Sequence, residues 1–122
     1  KSDFITINSA YIPTLKHMID EKEFRLMKKT AYLINCARGP IVNEKALVKA
    51  LKEKEIEGAA LDVYEFEPKI SDELKSMKNV VLTPHIGNAT IETRDQMALC
   101  AAKNIIQVLK GESPYSPINK YK

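Results

Sequence analysis

Glycine is scarce in this chain. Only four occur in 122 residues, Gly39, Gly58, Gly87 and Gly111. Their wide spacing leaves no G-x-G-x-x-G loop of the kind that seats a pyrophosphate on a helix N-terminus. Cysteine is scarcer still: Cys36 and Cys100 stand far apart in apolar surroundings. Two such cysteines exclude a disulfide framework and a metal-ligand spacing, so no metal is expected, and they predict buried free thiols in a reducing cytoplasm. Arginine is limited to Arg25, Arg38 and Arg94, and the net charge of +3 comes mostly from scattered lysines. Nucleic-acid binding needs clustered basic residues with aromatic partners, and none cluster here. No apolar run approaches the roughly 20 residues of a membrane span. The opening Lys1-Ser2-Asp3-Phe4-Ile5 leads directly into a strand pattern, so neither a membrane anchor nor a secretion signal is expected. Internal repeats and low-complexity segments are absent as well.

What remains is a globular composition, 44% hydrophobic and 29% charged, in a chain long enough for one domain with a real core. Four short apolar runs, Phe4–Asn8, Ala31–Asn35, Gly58–Val63 and Val80–Thr83, predict strands buried on both faces of a parallel sheet. Helical patterns lie between them. Asp20 with Glu23 three residues on resembles a capping box. It predicts a helix with Phe24 and Met27 facing inward, ending near Lys28-Lys29. Asn43 is a good N-cap for a second helix, whose apolar face is Ala46, Leu47, Ala50 and Leu51. Lys75–Asn79 reads as a short connector. A long helix from about Thr90 to Lys110 follows, stopped by Gly111. It is apolar on most sides, which predicts burial on most sides, more than one small sheet can cover. The tail, with Pro114 and Pro117, reads as an irregular strap. Strand–helix alternation of this kind predicts an α/β fold.

In an open α/β sheet, ligands sit beyond the carboxyl ends of the strands. The residues after each strand are therefore the informative ones. Ser9 and Ala10 follow the first strand, and Cys36-Ala37-Arg38-Gly39 the second. Asp62 ends the third, which runs on through Tyr64 to Glu67-Pro68, and Pro84-His85-Ile86-Gly87 follow the fourth. Arg38 is either a surface arginine or a rigidly held guanidinium suited to bidentate capture of a carboxylate. His85 is either a hydrogen-bonded structural histidine or an acid/base. Glu67 reads either as one of a solvated run with Glu65 and Lys69 or as a functional carboxylate. Asp62, at the end of an apolar strand, needs partners, and ligand contact and backbone capping serve equally.

Three stretches carry a family resemblance. Leu33-Ile34-Asn35-Cys36-Ala37-Arg38-Gly39-Pro40-Ile41-Val42 is one. Gly58-Ala59-Ala60-Leu61-Asp62-Val63-Tyr64-Glu65-Phe66-Glu67-Pro68 is the second, and Asn79-Val80-Val81-Leu82-Thr83-Pro84-His85-Ile86-Gly87 the third. In order and spacing they resemble the arginine, glutamate and histidine signatures of the D-isomer-specific 2-hydroxyacid dehydrogenases. The similarity runs from about Ser2 to Asn119. It implies the second half of a Rossmann-type parallel sheet of about four strands, with flanking helices and a long C-terminal helix. Residues 1–88 would be the C-terminal half of a dinucleotide-binding domain, and residues 89–122 a helix and tail returning toward a substrate domain.

The resemblance also implies roles. Arg38 would bind the substrate carboxylate and polarise the adjacent carbonyl. His85 would be the proton donor in reduction, and Glu67 rather than Glu65 would pair with it. Ser9, Cys36, Ala37, Arg38, Asp62, His85, Gly87 and Asn88 would contact NAD or NADP, with Asp62 at the nicotinamide end. Ala10 departs from the family's usual proline, and Asn88 stands where a small residue is common. Thr93-Arg94 with Met97, and Gly111-Glu112, are similar to the glyoxylate and hydroxypyruvate reductase branch. The implied reaction is hydride transfer between a nicotinamide cofactor and a small 2-keto or D-2-hydroxy acid.

The glycine fingerprint, the residue that selects NAD over NADP and the substrate domain are not in the sequence. The expectation is therefore an enzyme fragment from a truncated product or a fragmentary gene, inactive alone. Loss of neighbouring segments would expose apolar surface, so a homodimer or other self-association is expected. The alternative is a non-catalytic, corepressor-like interaction module on the same fold.

Overall fold

The computed structural model describes residues 1–118. The end of the expected 89–122 segment thus lies outside the described residues. The chain divides into two compact units, Lys1–Gly87 and a second beginning at Asn88.

The first unit is a parallel sheet in the order β1-β2-β3-β4, with strands Phe4–Ile7, Tyr32–Asn35, Gly58–Leu61 and Val80–Leu82. Each neighbouring pair is parallel, and the register runs Ile7↔Asn35↔Leu61↔Leu82 at the carboxyl ends. The α/β expectation and the four strands agree with this sheet. Burial on both faces does not hold for the edges. Phe4, on edge strand β1, is 67% exposed, and Val81, on edge strand β4, is 63% exposed. Along β2, exposed Tyr32 alternates with buried Leu33, while in β3 Gly58, Ala59 and Leu61 are buried. Tyr32 and Phe4 stack on the open face with ring centroids 5.6 Å apart.

Helix α1, Glu21–Leu26, opens on the capping box, with both the Asp20 and the Glu23 arms in place. Fully buried Phe24 anchors it, and Met27 packs against the core. It stops two residues before the lysines expected to close it. Helix α2, Glu44–Lys52, is capped by Asn43, whose Oδ1 accepts from the Lys45 and Ala46 N–H groups. The two caps are joined, since Asn43 Nδ2 donates to the Asp20 carboxylate at 3.2 Å. Ala46, Leu47, Ala50 and Leu51 are all buried, as the pattern predicts. Phe24, Leu33, Ile41, Leu47, Ile56 and Leu74 form the centre of the core. Leu74 belongs to a short helix, α3 (Asp72–Ser76), which begins just ahead of the segment read as a connector.

The second unit is built on α4, Ile91–Leu109. Thr90 Oγ1 caps its start by accepting from Thr93 N–H at 3.2 Å. Its end is a Schellman turn. Gly111 N–H donates to Val108 O and Glu112 N–H to Gln107 O, with Gly111 at φ +75°. A left-handed residue there is what glycine supplies without a Cβ clash. The tail returns along the helix: Ser116 N–H donates to Asn104 Oδ1 at 3.0 Å, and Lys103 Nζ lies 3.8 Å from the centre of the Tyr115 ring. The expectation of a helix buried on most sides fails, because no residue of α4 is buried.

Candidate active site

Parallel strands with ends in register deliver their following loops to one edge of the sheet. Beyond β2, buried Asn35 organises the turn. Its Oδ1 accepts from Ala37 N–H at 3.1 Å, and its Nδ2 donates to Arg38 O at 3.1 Å. Cys36 and Arg38 are thereby turned outward and exposed, while Ala37 is buried. The prediction of a buried Cys36 is therefore corrected: it stands past the last strand residue, in the loop rather than in the core. Cys100 is half-buried in the second unit, and both thiols are free. Arg38 is followed by buried Gly39, where an added Cβ would come within 1.8 Å of Tyr64 O. Only glycine lets the arginine turn lie this close to the loop after β3.

That loop carries the acids. Asp62 is 6% exposed and saturated with donors. Its Oδ1 accepts from Thr83 Oγ1 at 2.6 Å and Ile86 N–H at 2.9 Å, and its Oδ2 from Gly87 N–H at 2.8 Å. Burial alone would raise its pKa. The Thr83 hydroxyl, the two backbone N–H groups and the nearby His85 outweigh it and hold the carboxyl below the ordinary aspartate range. Of the two roles open for Asp62, the structure displays backbone capping of the loop after β4. Tyr64, buried, ties the same two loops together by donating its hydroxyl proton to Thr83 O at 2.7 Å.

His85 sits at φ +54°, a left-handed conformation that a non-glycine residue holds only when its surroundings enforce it. Its Nδ1 lies 3.1 Å from Glu67 Oε2. The other oxygen, Oε1, accepts from Tyr64 N–H at 3.0 Å. Burial raises the Glu67 pKa, but the Tyr64 N–H, His85 and the Arg38 charge together bring it below its ordinary value. With the carboxylate ionised, Nδ1 carries the hydrogen of this bond, and Nε2 is left as the nitrogen able to exchange a proton. A cleft of about 450 Å³ opens beside the pair, lined by Tyr64, Glu67, Pro68, Ile70, Pro84 and His85.

Glu65 goes elsewhere: its Oε1 lies 2.6 Å from His17 Nε2. Ser9 and Ala10 lie with Cys36, Ala37 and Arg38 around a second cleft of about 510 Å³ at the ends of β1 and β2. Gly87 is bound to Asp62, and Asn88 opens the second unit, where its Nδ2 lies 3.8 Å from Met97 Sδ. The first unit thus brings Arg38, Asp62, Glu67, His85, Ser9, Cys36, Ala37 and Gly87 to the strand-end edge. Asn35, Tyr64 and Thr83, which brace that edge, were not singled out by the sequence. The available signal was a polar or hydroxyl-bearing residue at or just beyond the end of each of three apolar strand runs.

Residues 1–87 match the family described as D-isomer specific 2-hydroxyacid dehydrogenase, NAD binding domain. A Staphylococcus haemolyticus protein named as a 2-hydroxyacid dehydrogenase is 66% identical over 119 residues, covering 98% of this chain and 37% of the relative. The holo form of Rhodotorula graminis D-mandelate dehydrogenase superposes with a TM-score of 0.92 at 39% identity, over 99% of this chain and 35% of that one. An NADPH-dependent glyoxylate/hydroxypyruvate reductase from Sinorhizobium meliloti, in complex with NADP and malonate, gives 0.92 at 30% identity, over 95% of this chain and 36% of that one. The chain therefore spans little more than a third of the length of these relatives. By its sheet, its strand-end site and its matched residues, the chain belongs to the D-isomer specific 2-hydroxyacid dehydrogenase family, within that family's NAD-binding domain.

Proposed function

We propose that this chain is the catalytic-residue-bearing half of the dinucleotide-binding domain of an NAD(P)-dependent oxidoreductase acting on a small 2-keto or D-2-hydroxy acid. One observation carries the reading: His85 Nδ1 lies 3.1 Å from Glu67 Oε2 at the strand-end edge that also presents Arg38. A cofactor supplies hydride to the keto carbon in such a reaction. Negative charge then grows on the carbonyl oxygen, and His85 Nε2 is the group to protonate and stabilise it. Glu67 takes the Nδ1 hydrogen and so fixes the tautomer that leaves Nε2 for the proton transfer. Arg38, exposed at the next strand but one, holds the substrate carboxylate and so fixes which face of the carbonyl is presented.

The residues present fit the nicotinamide half of a dinucleotide. Ser9, Cys36, Ala37 and Arg38 line an open cleft at the strand ends, and at the ends of β3 and β4 Asp62 holds the Gly87 N–H. No glycine loop for the pyrophosphate stands among the four glycines. Turnover by these residues alone is therefore not expected. Glyoxylate or hydroxypyruvate is the substrate we favour, on the Thr93-Arg94, Met97 and Gly111-Glu112 pattern. Both cysteines are free thiols, which suits a reducing cytoplasm.

The test compares two proteins. One is the chain itself. The other is a hybrid in which this chain replaces the matching 119 residues of the Staphylococcus haemolyticus relative. Oxidation of NADH or NADPH with glyoxylate or hydroxypyruvate is expected from the hybrid and not from the chain. A hybrid that folds, binds cofactor and turns over no 2-keto acid would overturn the catalytic reading and favour a binding module.

Self-association belongs to the same proposal. Strand β1 is an open edge, and α4 exposes Met97, Leu99, Ile105, Val108 and Leu109. An unpaired strand edge and an exposed apolar face both invite a second copy. Sedimentation over a concentration range is the measurement, and a monodisperse monomer at high micromolar concentration would refute it.

A further inference from the structure

The first unit contains a second histidine–glutamate pair that the proposed reaction does not use. His17 Nε2 lies 2.6 Å from Glu65 Oε1. The Glu65 side chain is only 8% exposed and that of His17 31%. Glu65 is also locked to the start of α2. Its Oε2 accepts from Glu44 N–H at 3.1 Å, and its own N–H donates to Glu44 Oε1 at 2.6 Å. Burial pushes the Glu44 carboxyl above its ordinary value, and the neighbouring Glu65 charge adds to that. Glu65 spends Oε2 on the Glu44 N–H and has Oε1 left over, and His17 Nε2 meets that oxygen.

The pair joins three chain segments. His17 itself is held from below: its N–H donates to Pro40 O at 2.8 Å, and Ile19 N–H to Ile41 O at 3.1 Å. Its φ of +54° is a conformation that persists only where several contacts enforce it. Pro40 lies two residues after Arg38, and Glu65 two residues before Glu67. Between them the Gly39 backbone presses on Tyr64 O, with no room for a Cβ. Tyr64 in turn gives its N–H to Glu67. Movement of Glu65 would therefore reach both the arginine turn and the carboxylate that holds His85.

We propose that His17 and Glu65 form a positioning clasp, which sets the Arg38 turn and the Glu67 loop in their working register without touching substrate. This rests on the function proposed above. A merely structural histidine would behave differently. Loss of folded protein lowers kcat and leaves KM alone, whereas a loosened clasp displaces the carboxylate-binding arginine and the acid/base pair together.

In the hybrid described above, His17→Ala is expected to raise KM and lower kcat, with kcat/KM falling on the order of tenfold to a hundredfold. His17→Gln places an amide N–H where the imidazole Nε2–H was, and is expected to restore most of that loss. The chain has two histidines, so in the His17→Ala and His17→Gln variants the only histidine ring signals belong to His85. Proton–carbon spectra of the 122-residue chain at fixed pH should then show displaced His85 ring resonances in His17→Ala and near-native ones in His17→Gln. Unchanged KM in His17→Ala, or His85 resonances identical in the two variants, would overturn the clasp. If the unmodified hybrid is inactive, the functional proposal fails and the spectra alone decide the clasp.

Discussion

Helices α2 and α4 are both written with apolar residues at helical spacing, yet they end in opposite environments. In α2, nine residues long, Ala46, Leu47, Ala50 and Leu51 are all buried. In α4, nineteen residues long, none is, and Leu109 is 82% exposed. The difference lies in what each helix has to pack against. The apolar face of α2 joins Phe24, Leu33 and Leu61 in one core. Among the described residues the second unit contains one helix and a tail, and a tail held by Ser116 and Tyr115 is not a core. Apolar periodicity therefore identifies a face that needs cover, and only a second packed element supplies it.

The same contrast holds at the polar level. The loops after β2, β3 and β4 are cross-braced by Asn35, Asp62, Tyr64 and Glu67, each with at least two hydrogen bonds. Such bracing holds the side chains of that edge in one geometry. The start of α4 has its Thr90 cap, and there the fixed geometry serves the helix alone.

Four measurements break or sharpen this comparison. The largest expected effect is at the braced edge. In the active hybrid, His85→Ala should lower kcat by about 10²–10⁴-fold with little change in KM, whereas Arg38→Ala should raise KM as well as lower kcat. Steady-state kinetics decides it, and near-native kcat/KM in both variants would remove the site assignment.

The core comes next. Leu47→Ala should destabilise the chain by about 2–5 kcal/mol, the range for a buried leucine truncated to a cavity, read from urea unfolding followed by circular dichroism. A shift below 1 kcal/mol, on the same scale, would mean the α2 face is not packed as described.

Asp62→Asn should cost about 1–3 kcal/mol at neutral pH, because it withdraws a charged acceptor from Thr83, Ile86 and Gly87. Its pH dependence has a definite sign. The folded-state pKa is depressed, so the stabilisation is complete above the unfolded value of about 3.9 and is lost as pH falls through the folded value. The gap between the native chain and Asp62→Asn should therefore close in acid. A gap independent of pH would show that the charge is not what braces the loop.

The smallest effect is on α4. Leu109→Ala should change folding stability by less than about 0.5 kcal/mol, as for an exposed site. A loss comparable to that of Leu47→Ala, at a concentration where the chain is monomeric, would show that α4 has found cover within its own chain.

Much of the first unit was legible because its signals are local. The caps at Asp20 and Asn43 and the four strand runs each follow from a few adjacent residues, as does the glycine stop at Gly111 in the second unit. The boundaries differ by one to three residues, as at β3, which ends at Leu61 while Asp62 N–H still donates to Asn35 O. Helix α3 was missed because its five residues are too few to show an apolar period. Of the site, position after a strand drew attention to the arginine, glutamate and histidine, and the resemblance to the family's motifs implied their roles. The pairing of Glu65 with His17 was not legible, since 48 residues separate them and no motif links the two.

By itself, then, the sequence determined the alternation of strands and helices, the caps that bound them, and the family whose motifs follow the strands. The tertiary structure alone decided which face of each element is covered, that Asp62 spends its carboxylate on backbone N–H groups, and that Glu65 meets His17. The reason is range. Caps, turns and periodicity are settled within a few residues by backbone geometry, whereas burial and side-chain partnership depend on segments brought together from opposite ends of the chain.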